Sequence, residues 1–378
     1  MNFTINKRFF YDRLSIVSRA ISVFSPLPAF SGIKIDVSAT DIVLTGSDSD
    51  ISILSTITPS EDNALTINDV GCIVIEAKYI LEVVRKIEGD IIEFEVLDDT
   101  QTRISGDRSQ FKINGMKSTD YPAIDFSRPK DTFEIEADTL KEIITQTCFA
   151  TSDRETRPVL TGVNFSCHDN QLQCVATDSY RLARKMIPLE SALQFNITIP
   201  AKSLQEVYKS ISGEKSVMIS VDNKKVQFLI DNTIIQTRLI DGAYPETSRL
   251  IPSSFSYELR IDSHELLSAI DRASFIKNDG VYIIRFRLDE QECVLTSNSA
   301  EVGSSIEVLS NAAFTGTHLE ISCNGRYVFE ALKALKQGEI VIRLCGEMKP
   351  FTIQSADEES VTMLVVPLRT YSLLFTDS

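Results

Sequence analysis

One layout recurs three times along the 378-residue chain, so any fold for it must be assembled from three like units. Ile75-Glu-Ala-Lys-Tyr-Ile-Leu-Glu-Val-Val-Arg-Lys-Ile returns as Ile199-Pro-Ala-Lys-Ser-Leu-Gln-Glu-Val-Tyr-Lys-Ser-Ile. It returns again as Cys323-Asn-Gly-Arg-Tyr-Val-Phe-Glu-Ala-Leu-Lys-Ala-Leu. Lys78, Lys202 and Arg326 stand 124 residues apart, and Glu82, Glu206 and Glu330 keep the same interval. A second marker runs in step: Tyr121-Pro122, Tyr244-Pro245 and Val366-Pro367 follow at intervals of 123 and 122. Three periods fill the chain. They set expected domains at 1–126, 127–252 and 253–378, with Pro-marked linkers near Asp125–Asp131 and Ile251–Ser256.

Each repeat opens on a short alternating strand followed by a helical pattern. Phe3-Thr-Ile-Asn precedes Phe9–Ile21, Phe133-Glu-Ile-Glu precedes Leu140–Phe149, and Leu259-Arg-Ile-Asp precedes Leu266–Phe275. Asp138 and Asp262 stand where a helix N-cap would satisfy free amides of the first turn. Period-two runs such as Ile91-Ile-Glu-Phe-Glu-Val, Val217-Met-Ile-Ser-Val and Glu339-Ile-Val-Ile-Arg-Leu predict strands between Gly and Asn turns. The class is α+β, with two helices and roughly eight short strands per repeat.

The second helix of each repeat carries the most informative face. Counting Lys78, Lys202 and Arg326 as position zero, position seven is again basic: Arg85, Lys209 and Lys333. Seven steps of 100° return to within about 20° of the start. Positions two, six and nine point to the opposite side and predict the core: Ile80, Val84, Ile87; Leu204, Tyr208, Ile211; Val328, Leu332, Leu335. A plain solvated face with in-helix ion pairs is one reading, since Glu82, Glu206 and Glu330 share the basic side. Charge favours a second. Segments 77–88, 201–212 and 325–337 together hold eight basic and four acidic side chains (+4), leaving −19 for the rest of a chain whose formal charge is −15. A local positive face on a negative body suits a polyanion touched weakly.

No run reaches the roughly 18 apolar residues of a membrane span. The opening Met-Asn-Phe-Thr-Ile-Asn-Lys-Arg lacks the apolar stretch of a secretory signal, and seven cysteines without a C-x-x-C pair fit a reducing compartment. The expected location is cytoplasmic. For catalysis the chain offers little: no G-x-S-x-G, H-E-x-x-H, Walker A or G-x-G-x-x-G pattern, and three scattered histidines, His168, His264 and His318. Cys167-His168 with Cys174 lacks a fourth zinc ligand, and Asp48-Ser-Asp50 reads as an acidic turn. No enzyme, metal or cofactor is expected, although a carboxylate-pair hydrolase or a peptide-binding scaffold stays open at this level.

Four motifs carry a resemblance: Glu155-Thr-Arg-Pro-Val-Leu-Thr-Gly-Val163, Val175-Ala-Thr-Asp-Ser-Tyr-Arg-Leu-Ala183, Asp241-Gly-Ala-Tyr-Pro-Glu-Thr-Ser-Arg-Leu-Ile-Pro252 and Val365-Val-Pro-Leu-Arg-Thr-Tyr371. In this order and spacing, over the whole chain, they resemble the bacterial DNA polymerase III beta subunit family, the DNA sliding clamps, in wording similar to Gram-positive members. The resemblance implies three tandem domains and a head-to-tail homodimer closed into a six-domain ring. Helices would line a hole for double-stranded DNA, gripped without regard to sequence. Lys78, Arg85, Lys202, Lys209, Arg326 and Lys333, with Arg154 and Arg157 of a loop, would then face the DNA. Phe111 and Ile113 would meet Phe275 and Ile276 of a second copy.

The family also binds short linear motifs of the polymerase catalytic subunit, the clamp loader and repair factors in an apolar pocket. Carried onto this chain, that pocket comprises Leu160, Thr177, Ser179, Tyr180, Arg181, Leu182, Pro245, Arg249, Leu250, Tyr327, Val365, Val366, Pro367, Leu368 and Arg369. Aliphatic walls would take Leu or Phe anchors and arginines would hold the peptide backbone. The chain departs from the family pattern in three places. Tyr180 replaces a usual histidine, Phe24-Ser-Pro-Leu-Pro lacks a usual basic residue, and 372–378 extend past the usual end, with Leu373, Leu374 and Phe375 able to reach the pocket.

Overall fold

Strands and helices follow one order in the three repeats, except that the second has one strand fewer between its helices. A computed structural model describes residues 1–22, 27–98, 100–189, 193–277 and 280–369; Phe24 to Pro26 and the extension 372–378 lie outside the described residues. In the first repeat come β1 (Asn2–Asn6), α1 (Lys7–Ser18), β2 (Gly32–Val37), β3 (Ile42–Ser47), β4 (Ile51–Ile57) and β5 (Thr66–Asp69). It continues with β6 (Gly71–Glu76), α2 (Ala77–Lys86), β7 (Ile91–Val96), β8 (Gln101–Ser105) and β9 (Gln110–Asn114). The second has β10 (Asp131–Glu136), α3 (Ala137–Thr147), β11 (Gly162–His168), β12 (Gln171–Thr177) and β13 (Arg181–Pro188). It ends with β14 (Phe195–Pro200), α4 (Ala201–Ser210), β15 (Ser216–Val221), β16 (Lys225–Ile230) and β17 (Thr233–Arg238). The third has β18 (Tyr257–Asp262), α5 (Ser263–Ala273), β19 (Ile283–Leu288), β20 (Cys293–Ser299), β21 (Gly303–Val308) and β22 (Ala313–Thr315). It closes with β23 (Leu319–Asn324), α6 (Gly325–Ala334), β24 (Glu339–Leu344), β25 (Phe351–Ser355) and β26 (Glu358–Val365).

The chain divides into two compact units, and the division cuts through the second repeat. One unit is Met1–Lys141 with Lys202–Leu239; the other is Glu142–Ala201 with the chain from Ile240 onward. The first unit holds a five-stranded sheet, β5-β1-β7-β8-β9, and an eight-stranded one, β10-β15-β16-β17-β4-β3-β2-β6. The second holds a nine-stranded sheet, β14-β11-β12-β13-β26-β25-β24-β18-β22, and a four-stranded one, β21-β20-β19-β23. All named strand pairs are antiparallel. Two seams join different repeats: β17 with β4, Thr233 opposite Ser55, and β13 with β26, Arg181 opposite Val365 and Lys185 opposite Val361.

Each helix begins at the residue after a strand ends, so one polar side chain at the junction can cap it. Asn6 Oδ1 accepts from Phe9 N–H at 3.0 Å, Asn324 Oδ1 from Arg326 N–H at 3.0 Å, and Asp262 Oδ1 from His264 and Glu265 at 3.0 and 3.1 Å. Asp138 is not a cap: α3 starts at Ala137, which puts this carboxylate inside the first turn, where it still favours the helix dipole. The first core of repeat one is aromatic. Phe3 stacks on Phe94 at 4.9 Å and meets Phe10 edge-on at 5.7 Å. Gly162 opens β11 because a Cβ there would sit 2.6 Å from the Ile199 carbonyl oxygen, and Gly32 opens β2 against Val74 in the same way.

Eight of the nine predicted core positions of α2, α4 and α6 are buried, and the exception is Tyr208. Position five takes its place in the core: Val207 is fully buried, and its counterparts Val83 and Ala331 are buried too. Tyr208 sits at the edge of the buried arc, where a long amphipathic ring can turn its polar end to water, and the Lys141 ammonium lies 5.7 Å from its centroid.

Candidate functional site

The strand-to-strand turn after β12 shapes the candidate pocket. Asp178 Oδ1 accepts from the N–H groups of Tyr180 and Arg181 at 2.9 and 3.0 Å, and Thr177 Oγ1 donates to the Arg181 carbonyl at 2.6 Å. Ser179 takes a φ of 80°, a left-handed conformation that costs a non-glycine residue about 1 kcal/mol. The turn throws Tyr180 outward, 53% exposed, and carries Arg181 inward, 8% exposed. The equivalent turn of repeat one has the same construction: Asp48 Oδ1 accepts from Asp50 and Ile51, and Ser49 has a φ of 89°. Asp48-Ser-Asp50 is therefore an acidic turn, and no group of three or more metal-ligating side chains occurs among the described residues.

Beside the turn lies an apolar floor of Val175, Leu182 and Leu364, with Tyr244, Ile251 and Val366 half-buried against it. It straddles the β13–β26 seam, so its residues come from both sequence repeats of the second unit. Tyr244 ties the linker to the turn: its hydroxyl accepts from the Thr177 N–H at 3.0 Å, and burial pushes its phenol well above the ordinary value. Val366 N–H donates to the Tyr180 carbonyl at 2.9 Å and Leu368 N–H to that of Ser322 at 2.7 Å, which fixes the run after β26 along the edge of the floor.

Of the fifteen residues expected in the pocket, Leu160, Thr177, Leu182, Val365 and Pro367 are buried, with Arg181 among them. Pro245, Tyr327, Val366 and Leu368 are half-buried, and Ser179, Tyr180, Arg249, Leu250 and Arg369 are exposed. Arg181 is engaged on every side. Its Nε donates to Asp178 at 3.1 Å, its Nη1 pairs with Glu330, and its guanidinium lies 4.6 and 5.3 Å from the Tyr327 and Phe149 rings. Through Nε and Nη1 it thus braces β13 against α6. Four floor residues were absent from the sequence list: Val175, Leu364, Tyr244 and Ile251. Tyr244 had a signal, since it is the repeat marker itself. A cavity of about 420 Å³ opens nearby, beside Tyr327 and Arg326, with Tyr282 and Lys277 across from them.

All eight basic residues expected to face DNA are exposed. The glutamate that shares their face is paired in each helix. Glu82 binds Arg85 and Lys86 at 2.8 Å each, Glu206 binds Lys209 at 2.8 Å, and Glu330 binds Arg326 at 2.7 Å. Hydrogen bonds from Lys86 and Arg85 hold the Glu82 carboxyl below the usual carboxylate range. The Glu82 pairs are exposed and therefore weak, so a phosphate can take over their cations at little cost. Arg157 Nη1 also donates to Ser179 Oγ at 3.2 Å, which links the loop to the pocket turn.

The residues expected at a contact between copies divide. Phe111 and Ile113 are half-buried on one face of β9, opposite buried Ile104 and Thr102 of β8. Phe275 is 66% exposed. Ile276 is 1% exposed in the single chain, so of the two neighbours Phe275 is the one that presents an apolar surface to solvent.

Three family models match in chain order: the N-terminal, central and C-terminal domains of the DNA polymerase III beta subunit, over residues 1–125, 134–246 and 248–369. The chain belongs to the DNA polymerase III beta subunit family. It is 36% identical over 376 residues to the beta sliding clamp of Staphylococcus aureus, covering 98% of this chain and all of that one. The DNA polymerase sliding clamp of Bacillus subtilis superposes with a TM-score of 0.94 at 36% identity, again over 98% and 100% of the two chains. The beta chain of Streptococcus pneumoniae gives 0.94 at 33% with the same coverage. The function is that of a DNA sliding clamp, a processivity factor and not an enzyme. No helix among the described residues is long and apolar enough to cross a membrane.

Proposed function

We propose that two copies of this clamp close head to tail into a ring around duplex DNA, with the apolar floor as the dock for short linear motifs of the polymerase, clamp loader and repair factors in the cytoplasm. One observation carries the ring. β4, β13 and β21 hold the same place in their repeats, as do β9, β17 and β26. In the first unit β4 pairs with β17, and in the second β13 pairs with β26. Among the described residues the third seam of the series is open: β21 and β9 are each the unpaired edge of their sheet. Pairing β21 of one copy with β9 of the next continues the rule, adds four strands to five, and removes two edges that would otherwise invite aggregation. Phe111 and Ile113 would then cover exposed Phe275. A clamp of Bartonella birtlesii, 26% identical and superposing at a TM-score of 0.91, has been solved bound to griselimycin, which supports a ligand-accepting surface in this chain too.

Negative-stain images of the purified chain test the ring. Six-lobed particles with an open centre, at twice the 42.2 kDa chain mass, are expected, and compact particles without a hole would remove it. A second expectation concerns the helices. Lys78→Glu, Lys202→Glu and Arg326→Glu together are expected to weaken binding to a duplex oligonucleotide and to flatten its salt dependence. Each lost phosphate contact removes about 0.9 from the log–log slope. Thermal unfolding should stay unchanged because all three side chains are exposed. An unaltered salt slope would take these helices out of the DNA contact.

A further inference from the structure

We infer that Glu330 is a positioning residue that couples the DNA-facing side of α6 to the peptide floor: DNA that draws Arg326 away leaves Glu330 to Arg181 alone and tightens the floor's hold on a peptide. The inference rests on reading α6 as a DNA contact and the floor as the peptide site, and goes further by linking the two.

Three observations carry it. First, one carboxylate holds two cations that belong to different surfaces. Glu330 Oε1 accepts from Arg326 Nε at 2.7 Å, and Glu330 Oε2 accepts from Arg181 Nη1. The Arg326 side chain is 69% exposed, whereas Arg181 is buried beside the turn. Burial alone would raise the Glu330 carboxyl, but hydrogen bonds from Arg181 and Arg326 prevail and hold it below the ordinary value, so it stays charged between them. Second, the inner arm runs without a gap to the floor. Arg181 Nε donates to Asp178 Oδ2 at 3.1 Å, and Asp178 Oδ1 accepts from the N–H groups of Tyr180 and Arg181. The Tyr180 carbonyl accepts from Val366 N–H at 2.9 Å, and Val366 packs on the floor. All of these residues lie in the second unit.

Third, the equivalent seam lacks the link. Ile51 opens β4 as Arg181 opens β13, and Glu206 of α4 stands in its repeat where Glu330 of α6 stands in the next. Glu206 Oε1 accepts from Lys209 at 2.8 Å, but Glu206 Oε2 is buried with no hydrogen-bond partner among the described residues. The glutamate thus belongs to the repeat, while the guanidinium on its second oxygen belongs to the seam that carries the floor.

Two arrangements follow from the sharing. Without DNA, Glu330 divides its oxygens between two like charges that repel each other. A phosphate that takes Arg326 removes that repulsion and frees Oε1, and a carboxylate with both oxygens available can meet one guanidinium through two parallel hydrogen bonds. Arg181 is then held more firmly. The turn at Ser179, already left-handed, is fixed before a peptide arrives, which lowers the ordering cost of binding. A coupling at the lower end of the usual range is about fivefold in affinity. Linkage makes it reciprocal, so peptide tightens DNA by the factor with which DNA tightens peptide.

The test titrates griselimycin by calorimetry onto the full chain, alone and saturated with a linear duplex oligonucleotide. We expect about fivefold tighter binding with duplex present, and the same factor when duplex is titrated onto the griselimycin-bound chain. In Glu330→Gln both ligands should still bind, each indifferent to the other. In Arg326→Gln, an exposed position that can be changed without unfolding, griselimycin should bind the DNA-free chain as tightly as it binds the duplex-saturated parent, and duplex should add nothing. A side chain that served folding alone would not reproduce the effect of DNA in this way. Equal or weaker griselimycin binding to the duplex-saturated parent would overturn the coupling and leave both sites standing. Coupling that persists in Glu330→Gln would run by another path and overturn the role of this residue. No griselimycin binding to any chain, or no duplex binding, would remove the site reading beneath the inference and the inference with it.

Discussion

Phe275→Asp is expected to convert the dimeric clamp into folded monomers at micromolar concentration. The side chain is 66% exposed in the single chain, so the substitution removes almost no core and leaves a carboxylate in water. In the proposed ring the same position would face the apolar side of β9. Burying an unpaired carboxylate there costs about 3 kcal/mol. A two-copy ring contains the change twice, once in each seam, or about 6 kcal/mol together, which is roughly four orders of magnitude in the dissociation constant. Sedimentation equilibrium or mass photometry reads this directly. Two controls locate the effect. Ile276→Ala, at the adjacent but buried position, is expected to lower the unfolding free energy by about 3 kcal/mol, because it opens a cavity within one repeat. Peptide binding should persist in the Phe275→Asp monomer, since the floor is built within a single chain. A Phe275→Asp chain that stayed dimeric would remove the β9–β21 seam.

The contrast between those two neighbours marks what could be read from the sequence. Repetition exposed the element order of each repeat, because Lys78, Lys202 and Arg326 and their apolar companions obey the 3.6-residue helical period on one face and the core on the other. Alternation along the strands gave the faces of the sheets but not their partners. A period of two says which side chains are buried and nothing about whether β4 pairs with its own repeat or the next. The sheets that join repeats were therefore invisible, and with them the division of the second repeat between two units. The same limit governed the pocket. Leu182 and Val366 were named through the family resemblance, but the floor between them depends on Val175 of β12 and Leu364 of β26, the two strands that flank β13. The resemblance names Arg181 as one of the arginines that would hold a bound peptide. Only the fold brings Asp178, Glu330, Tyr327 and Phe149 around it.

Glu358→Gln is expected to cost the second unit about 3 kcal/mol of stability, although neither repeat marker nor motif pointed to it. Lys185, on β13 and only 3% exposed, donates to Glu358 of β26 at 2.6 Å and to Glu142 of α3 at 3.3 Å. Gln146 donates to the other Glu358 oxygen at 3.3 Å, and Lys336 approaches both carboxylates. The seam beside the peptide floor thus holds a buried ion pair, and removing one partner leaves the other charge in a low-dielectric site. Replacing both, with Lys185→Met and Glu358→Leu, removes the charge and its desolvation together and should leave stability within about 1 kcal/mol of the parent. Acid weakens the same contact. Burial alone would raise the Glu358 carboxyl, but hydrogen bonding from Lys185 and the nearby Lys336 charge prevail and hold it below the ordinary 4.5. The folded value is depressed, so the stabilisation is complete above the unfolded value and fades as pH falls through the lower folded one. Urea unfolding of parent, single and double variants at pH 7 and below pH 4 should show the single variant's deficit at pH 7 and its shrinkage in acid. A double variant as unstable as Glu358→Gln would mean that packing at the seam, and not the stranded Lys185 charge, carries the loss.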